Sequence, residues 1–262
     1  MTGTPLQAGV AELEYKPELG MMTGDGSPVA KGYLTPLFVK AVVLQSGGRE
    51  LAVVSLDLIG FDRQDVMRAA RLAEARCGLP ADAVLMTCSH THVAPASLPR
   101  GDIYLQTFNP SFGEEAVRKE HAFIDWMVEL IADALCRAKA SLEPASIGVA
   151  TANLPWLVFN RRRYTRDFGV WTHWMKIPPG QAYDVEGPID PELGLLVLRD
   201  QAHRPQAFLW NMTGHNSFSF GDQYSADITY TVQALLDERL GTHVPTLYLP
   251  GCSGNTNYFD YG

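Results

Sequence analysis

Val84-Leu-Met-Thr-Cys-Ser-His90-Thr-His92-Val-Ala-Pro95 is the stretch from which the rest of the chain can be read. Its apolar start, Ala83 to Met86, predicts a buried strand. That strand empties into a polar loop carrying two histidines. Residues two apart on an extended backbone point the same way, so both imidazoles can face one spot. Imidazole is the side chain most used to bind zinc and to move protons near neutral pH. A pair of ordinary loop histidines satisfies the same pattern, so the spacing alone leaves both readings open.

Working outward, similar apolar runs recur. Strand patterns cover Ala8–Glu14, Leu37–Leu44, Leu51–Leu56, Ala145–Ala150, Leu195–Leu198, Ala207–Trp210 and Thr246–Leu249. Helical patterns cover Gln64–Arg76, His121–Ala140 and Asp227–Leu240. The first helix opens on Asp62-Arg-Gln-Asp65, an acidic start suited to exposed amide donors. The second carries Phe123, Trp126, Met127, Leu130, Ile131 and Ala134 at three- and four-residue steps, which describes one core-facing stripe. The third is bounded by Ser225 and Gly241. Strands separated by such helices predict an α/β fold: a layered, mixed β-sheet with helices on its faces. Ligands then gather beyond the carboxyl ends of strands. Asp57, His90, His215 and the Gly251–Asn257 loop all follow strand patterns, which places the chemistry on one rim. Two long loops, Val93–Glu120 and Leu154–Glu186, are expected to form lids or walls.

Composition excludes several classes. At 262 residues and 46% hydrophobic content, the chain can bury a sizeable core, and no Ser/Gly-rich or charged run divides it; residues 1–262 are expected to form a single domain. A net charge of −8 offers no electrostatic reason to bind nucleic acid. No apolar stretch approaches the roughly 18 residues needed to span a bilayer. No leader pattern follows Met1, which predicts a cytoplasmic chain, or a secreted one if a leader lies upstream. Cys77, Cys88, Cys136 and Cys252 lack metal-type spacing and are too few for a disulfide framework. Cys88 and Cys252 fall on loops of the same rim, where inert packing is the favoured role.

The order of blocks carries a resemblance. It runs through Ala8-Gly-Val-Ala-Glu-Leu-Glu, Val53-Val-Ser-Leu-Asp57-Leu-Ile-Gly60, Thr87 to Pro95, Gly187-Pro-Ile-Asp190-Pro-Glu-Leu-Gly, Asn211-Met-Thr-Gly-His215-Asn-Ser, Tyr224-Ser-Ala-Asp227 and Leu249-Pro-Gly251-Cys-Ser-Gly254-Asn255-Thr-Asn257. From about Gly9 to Asn257 this resembles the N-terminal catalytic domain of the neutral, non-lysosomal ceramidases, zinc-dependent amidases that cleave the fatty-acyl amide of ceramide. The resemblance implies Zn(2+) held by His90 and His215, with His92 contacting substrate. It aligns Asn160-Arg161 with an Asn-Arg pair of the family, which makes Arg161 the candidate to hold a substrate hydroxyl or the oxyanion. Asn160, Gly254, Asn255 and Asn257 are the further candidates for substrate contact. A solvated loop arginine is the plain alternative for Arg161. Asp57 is a possible third ligand, a carboxylate orienting a histidine, or a cap on the turn into the next helix. Asp227 reads as a helix cap.

Two departures stand out. Where the family has Gly-Asp-x-Ser-Pro-Asn, this chain has Gly254-Asn255-Thr256-Asn257-Tyr258, which excludes a serine nucleophile at that position. The family's remaining ligands, a glutamate and a tyrosine, come from sequence beyond residue 262. The expectation is therefore a fragment of a longer frame, or a short relative whose third ligand is Asp57, Asp222 or Asp227. The functional expectation is a zinc-dependent amidohydrolase acting on a small-molecule N-acyl amide or lipid, with a ceramide-like compound as the lead candidate. The alternatives are a non-catalytic relative binding a ligand in the same pocket, favoured by the Asn255/Asn257 pair, and a hydrolase using Cys252 or Ser253.

Overall fold

A computed structural model describes residues 5–24, 29–97, 114–172 and 177–259. Five strands form a first sheet in the order β5-β4-β3-β1-β6, where β1 is Gln7–Tyr15, β3 Leu37–Ser46, β4 Arg49–Leu56, β5 Val84–Cys88 and β6 Glu143–Pro144. Only β4 and β5 run parallel; the other pairings are antiparallel. A second sheet has the order β15-β13-β12-β7, with β7 at Ser146–Asn153, β12 at Glu192–Arg199, β13 at Pro205–Met212 and β15 at Thr246–Pro250. Here the parallel pair is β13 and β15.

The expected class is what forms, a mixed α/β fold, but the strands divide into two stacked sheets where the sequence suggested one. Alternation along the strands shows why. Ala8 of β1, Val42 of β3 and Val53 of β4 pack against Leu198 of β12, Ala207 and Leu209 of β13 and Leu247 of β15, so one face of each sheet is buried against the other. The opposite faces carry the helices. Val39, Ala41 and Val43, with Ala52, Val54 and Leu56, meet helices α1 (Arg63–Cys77) and α2 (Glu114–Ala140). Trp210, Met212 and Tyr248 of the second sheet meet Ile228 and Val232 of α3 (Ile228–Leu240). The layers run helix pair, sheet, sheet, helix.

The helices follow their sequence signals. Asp62 caps α1 through its side chain on Gln64 N, and Gly78 closes it in the left-handed conformation (φ 70°). Buried Ala69 and Ala73 give α1 a smooth face in the cluster it shares with α2. Along α2, Phe123, Met127, Ile131, Ala134 and Ala138 are buried at three- and four-residue steps, whereas Trp126 is 40% exposed and packs edge-on against Tyr15. Gly9 lets α2 lie close over β1: a Cβ there would sit 1.9 Å from the Ala138 carbonyl oxygen.

The Leu154–Glu186 segment is not a bare loop. It holds β8 (Phe159–Asn160) and a small antiparallel sheet, β10-β9-β11, from Arg162–Thr165 (β9), Gly169–Thr172 (β10) and Ala182–Val185 (β11). Most of the Val93–Glu120 segment lies outside the described residues. Two short pairings complete the fold: β2 (Gly32–Tyr33) beside β14 (Gln223–Tyr224), and β8 beside β16 (Thr256–Asn257). Strand β7 ends the second sheet and is exposed along nearly its whole length, with Val149 at 76%. No helix among the described residues is long and apolar enough to cross a membrane.

Candidate metal centre

The parallel pair in each sheet delivers the site, because their carboxyl ends point to one rim. Beyond β5 come Ser89, His90, Thr91 and His92; beyond β13 come Thr213, Gly214, His215 and Asn216; beyond β15 comes the Gly251–Asn257 loop. The imidazoles of His90, His92 and His215 converge, with ring centroids 4.5–5.1 Å apart. One nitrogen from each lies within 4.8 Å of the others, and this is the metal-type group of histidine, cysteine and carboxylate ligands found among the described residues.

Backbone carbonyls aim two of the rings. His90 adopts φ 63°, a left-handed conformation uncommon outside glycine. It is held there by its amide, which donates to the Leu58 carbonyl at 2.9 Å, and by Nδ1, 2.7 Å from the Ile59 carbonyl. A carbonyl can only accept, so a neutral His90 carries its proton on Nδ1 and turns the Nε2 lone pair inward. His215 repeats the arrangement with Nδ1 3.3 Å from the Ser253 carbonyl. His92 Nε2 lies 2.9 Å from His215 Nε2. If the lone pair is on His215 Nε2, the proton between them belongs to His92.

Burial holds all three rings neutral. It pushes His215 down to about 3, helped by the Arg161 guanidinium and then by His90 and His92. His92 is pushed down to about 4 by burial, His90 and Arg161, and His90 is lowered by burial and Arg161. Neutral imidazoles are the donors zinc prefers, and those of His90 and His215 turn their Nε2 lone pairs inward. Two such nitrogens on one tetrahedral zinc at 2.0–2.1 Å sit about 3.3 Å apart, so each ring has to shift by less than roughly 1 Å. The three residues present fit a zinc ion.

Arg161 is buried at the edge of this group. Its amide donates to the Asn255 carbonyl at 2.9 Å, and Nε and Nη2 donate to the Gly254 carbonyl at 3.1 and 2.8 Å. With the β8–β16 pairing, these bonds bring together Asn160, Arg161, Gly254, Asn255 and Asn257. The Asn160 and Asn257 side chains work internally. The Asn160 amide donates to the Gly187 carbonyl and accepts from Arg162 N, and Asn257 Oδ1 accepts from Tyr258 N. The Gly187–Asp190 block thus has a structural part: it grips Asn160, and its Asp190 carbonyl accepts from Thr213 Oγ1, two residues before His215.

The acidic candidates lie elsewhere. Asp57 is outside the histidine group, and its carboxylate accepts from Phe38 N (2.9 Å) and Thr229 Oγ1 (2.9 Å), tying β3 to α3. It neither orients a histidine nor caps α1; the neighbouring Ile59 carbonyl performs the first task and Asp62 the second. Asp227 occupies the N-cap position of α3 at φ 62°, yet its side chain makes no cap bond and accepts from Phe218 N and Ser219 N instead. Asp222 pairs with Lys31 at 2.9 Å. Burial beside Asp57 pushes the Cys88 thiol up to about 12, the opposite of an activated thiolate. Sequence reasoning passed over Asn216, wholly buried between the two histidine loops, and the Ile59 and Ser253 carbonyls. Backbone acceptors leave no trace in residue identity.

Neither a protein-family sequence profile nor a curated protein sequence matches this chain. Solved structures do. A ceramidase complexed with C2 superposes with a TM-score of 0.74 at 19% identity, covering 97% of this chain and 39% of that one. The neutral ceramidase from Pseudomonas aeruginosa gives 0.70 at 19% identity with the same coverage. The chain therefore spans about two-fifths of the length of these relatives. At this level of identity the likeness is one of architecture: over 97% of its length, this chain has the fold of a part of the neutral ceramidases.

Proposed function

We propose that the chain is a metal-dependent hydrolase of a carbon–nitrogen amide bond in an N-acyl compound, with His90 and His215 as zinc ligands. The observation that carries this reading is the convergence of three neutral imidazoles, His215 buried and His90 and His92 half-buried, two of them turned inward by backbone carbonyls on Nδ1. The shared architecture with neutral ceramidases supports the bond type, and a ceramide-like lipid is the lead substrate.

A bound zinc ion would supply a Lewis acid for the amide carbonyl and acidify the attacking water. The protein's part follows from the geometry. His92 lacks a backbone carbonyl on Nδ1 among the described residues, and its Nε2 faces the centre of the group. The contact with His215 puts a proton on His92 Nε2. With the His215 lone pair engaged by a bound metal, a neutral His92 would be freed to carry its proton on Nδ1, and its Nε2 would be placed to take a proton from water and return it to the leaving amine. The Arg161 guanidinium, fixed on the Gly254 carbonyl, favours negative charge developing on the carbonyl oxygen.

The purified chain should hold close to one zinc, His215→Ala little, and turnover of a fluorogenic N-acyl amine should fall by about 10²-fold or more in His92→Ala. Zinc-replete protein that binds but never cleaves such amides would favour the second reading, a non-catalytic binder in the same pocket. One observation favours that reading: no carboxylate joins the three histidines among the described residues.

A further inference from the structure

The two proposed ligands hang from different sheets. His90 follows β5 of the first and His215 follows β13 of the second, so their separation depends on how the sheets are registered across the apolar interior. Apolar packing is non-directional and fixes such a register only loosely. The Ser55–Tyr248 hydrogen bond ties β4 to β15 within the sheets, but the loops beyond their carboxyl ends need a directional link of their own. Among the described residues, one side chain joins the two histidine loops beyond the histidines themselves. Asn216 is fully buried; its Nδ2 donates to the Ser89 carbonyl at 3.0 Å, and its Oδ1 accepts from Ile228 N at 3.2 Å. Ser89 immediately precedes His90, Asn216 immediately follows His215, and Ile228 opens α3.

We infer that Asn216 is a positioning residue that sets the distance and relative orientation of His90 and His215. The inference rests on the metal-centre reading. The carboxamide is suited to the task because it offers a donor to one loop and an acceptor to the helix start at the same time. The rest of the first loop is anchored to a third segment: Thr91 Oγ1 donates to the Ser225 carbonyl at 2.7 Å, and Ser225 N to the Val93 carbonyl at 3.1 Å. Between the sheets themselves Ser55 Oγ of β4 donates to the Tyr248 carbonyl of β15 at 3.0 Å, which leaves the Ser89–Asn216 bond as the direct tie between the two histidine loops.

Asn216→Asp at pH 8 isolates this tie, since a carboxylate still accepts from Ile228 N but can donate nothing to the Ser89 carbonyl. The 262-residue chain is titrated with Co²⁺ and its visible absorption recorded, beside wild type and Val53→Ala. The last variant loosens the sheet–sheet core at a distance. Asn216→Asp should bind Co²⁺ about 10- to 100-fold more weakly, with altered band intensity, as for groups that orient ligands from behind. Val53→Ala should lower the melting temperature while leaving the cobalt spectrum unchanged. Equal weakening in Val53→Ala, or wild-type binding and spectrum in Asn216→Asp, would overturn the inference. If wild type itself takes up no Co²⁺, the metal reading fails on its own. The inference is then decided by imidazole ¹⁵N shifts of the metal-free chain, which should move at both His90 and His215 in Asn216→Asp and stay put if Asn216 is a bystander. Should Asn216→Asp not fold, Asn216→Ser, too short to reach Ser89, takes its place in the same measurements.

Discussion

Asp57 shows how one side chain's environment sets a pH dependence. Burial pushes its carboxyl up to about 6, against the opposing pull of Lys40 and of hydrogen bonds from Phe38 N and Thr229. An unfolded Asp titrates near 3.9, so between about pH 4 and 6 the folded chain holds a proton that the unfolded chain has lost. Asp57's contribution to stability is thus fully present below pH 4 and declines as pH rises through 6. Asp57→Asn keeps the shape and removes the titration. The urea-unfolding free energy of wild type minus that of Asp57→Asn should fall by about 1–3 kcal/mol between pH 4 and 7.5; a flat difference would reject the assignment. At this scale the sequence was partly legible. His-x-His after an apolar run does bring both rings to one spot, but through a left-handed His90 and a turn at His92 beyond the end of β5 rather than through extended alternation, and His215 after its own strand arrives at the same point. The part played by Asp57 stayed open in the sequence because a carboxylate after a strand looks alike whether it faces a metal, a helix or another strand's amide.

Among the elements, the C-terminal loop after β15 shows how a departure in sequence becomes a contact. Tyr258 stacks on Phe218 with centroids 5.1 Å apart, and its ring fills the space in front of Gly214, where a Cβ would lie 1.9 Å from Tyr258 Cζ. Tyr248 Oη donates to the Met212 or Gly214 carbonyl, each 3.0 Å away, clamping the approach to His215 from below. Gly214→Ala should therefore cost about 1–3 kcal/mol, read by urea denaturation. Combined with Tyr258→Ala, the loss should be smaller than the sum of the two single losses, and simple additivity would sink the explanation. Strand positions were readable because apolar runs of four to eight residues leave few other options. Their partition was not. In β3 and β4 both faces are buried, one against helices and one against the second sheet, so the run carries no alternation to say which neighbour lies where. The β9–β11 sheet was hidden for the opposite reason: Arg162, Arg163 and Tyr164 leave its strands largely uncovered and without an apolar signature.

For the molecule as a whole, drawing the proposed ligands from both sheets would make metal binding a matter of global stability. An ion that binds only where the two rims meet stabilises the folded chain by mass action, about 2.7 kcal/mol at a free concentration 100 times Kd. For a chain of this size that raises the melting temperature by roughly 5–10 °C. Adding zinc should produce this shift in wild type and none in His215→Ala; equal shifts in both would place the ion elsewhere. The other end of the second sheet has a consequence of its own. Strand β7 bonds to β12 on one side, and on its other side no described strand meets it. Its amide edge, bordered by an outward-facing Val149, is a template onto which a further strand can be laid, and the same main-chain chemistry that builds the sheet can extend it between molecules. Left bare, the chain should assemble with rising concentration, seen as growing light scattering, and Val149→Lys should suppress it. On that view the sheet is not finished by its own four strands, and what completes it governs whether the chain remains a particle or becomes a fibre.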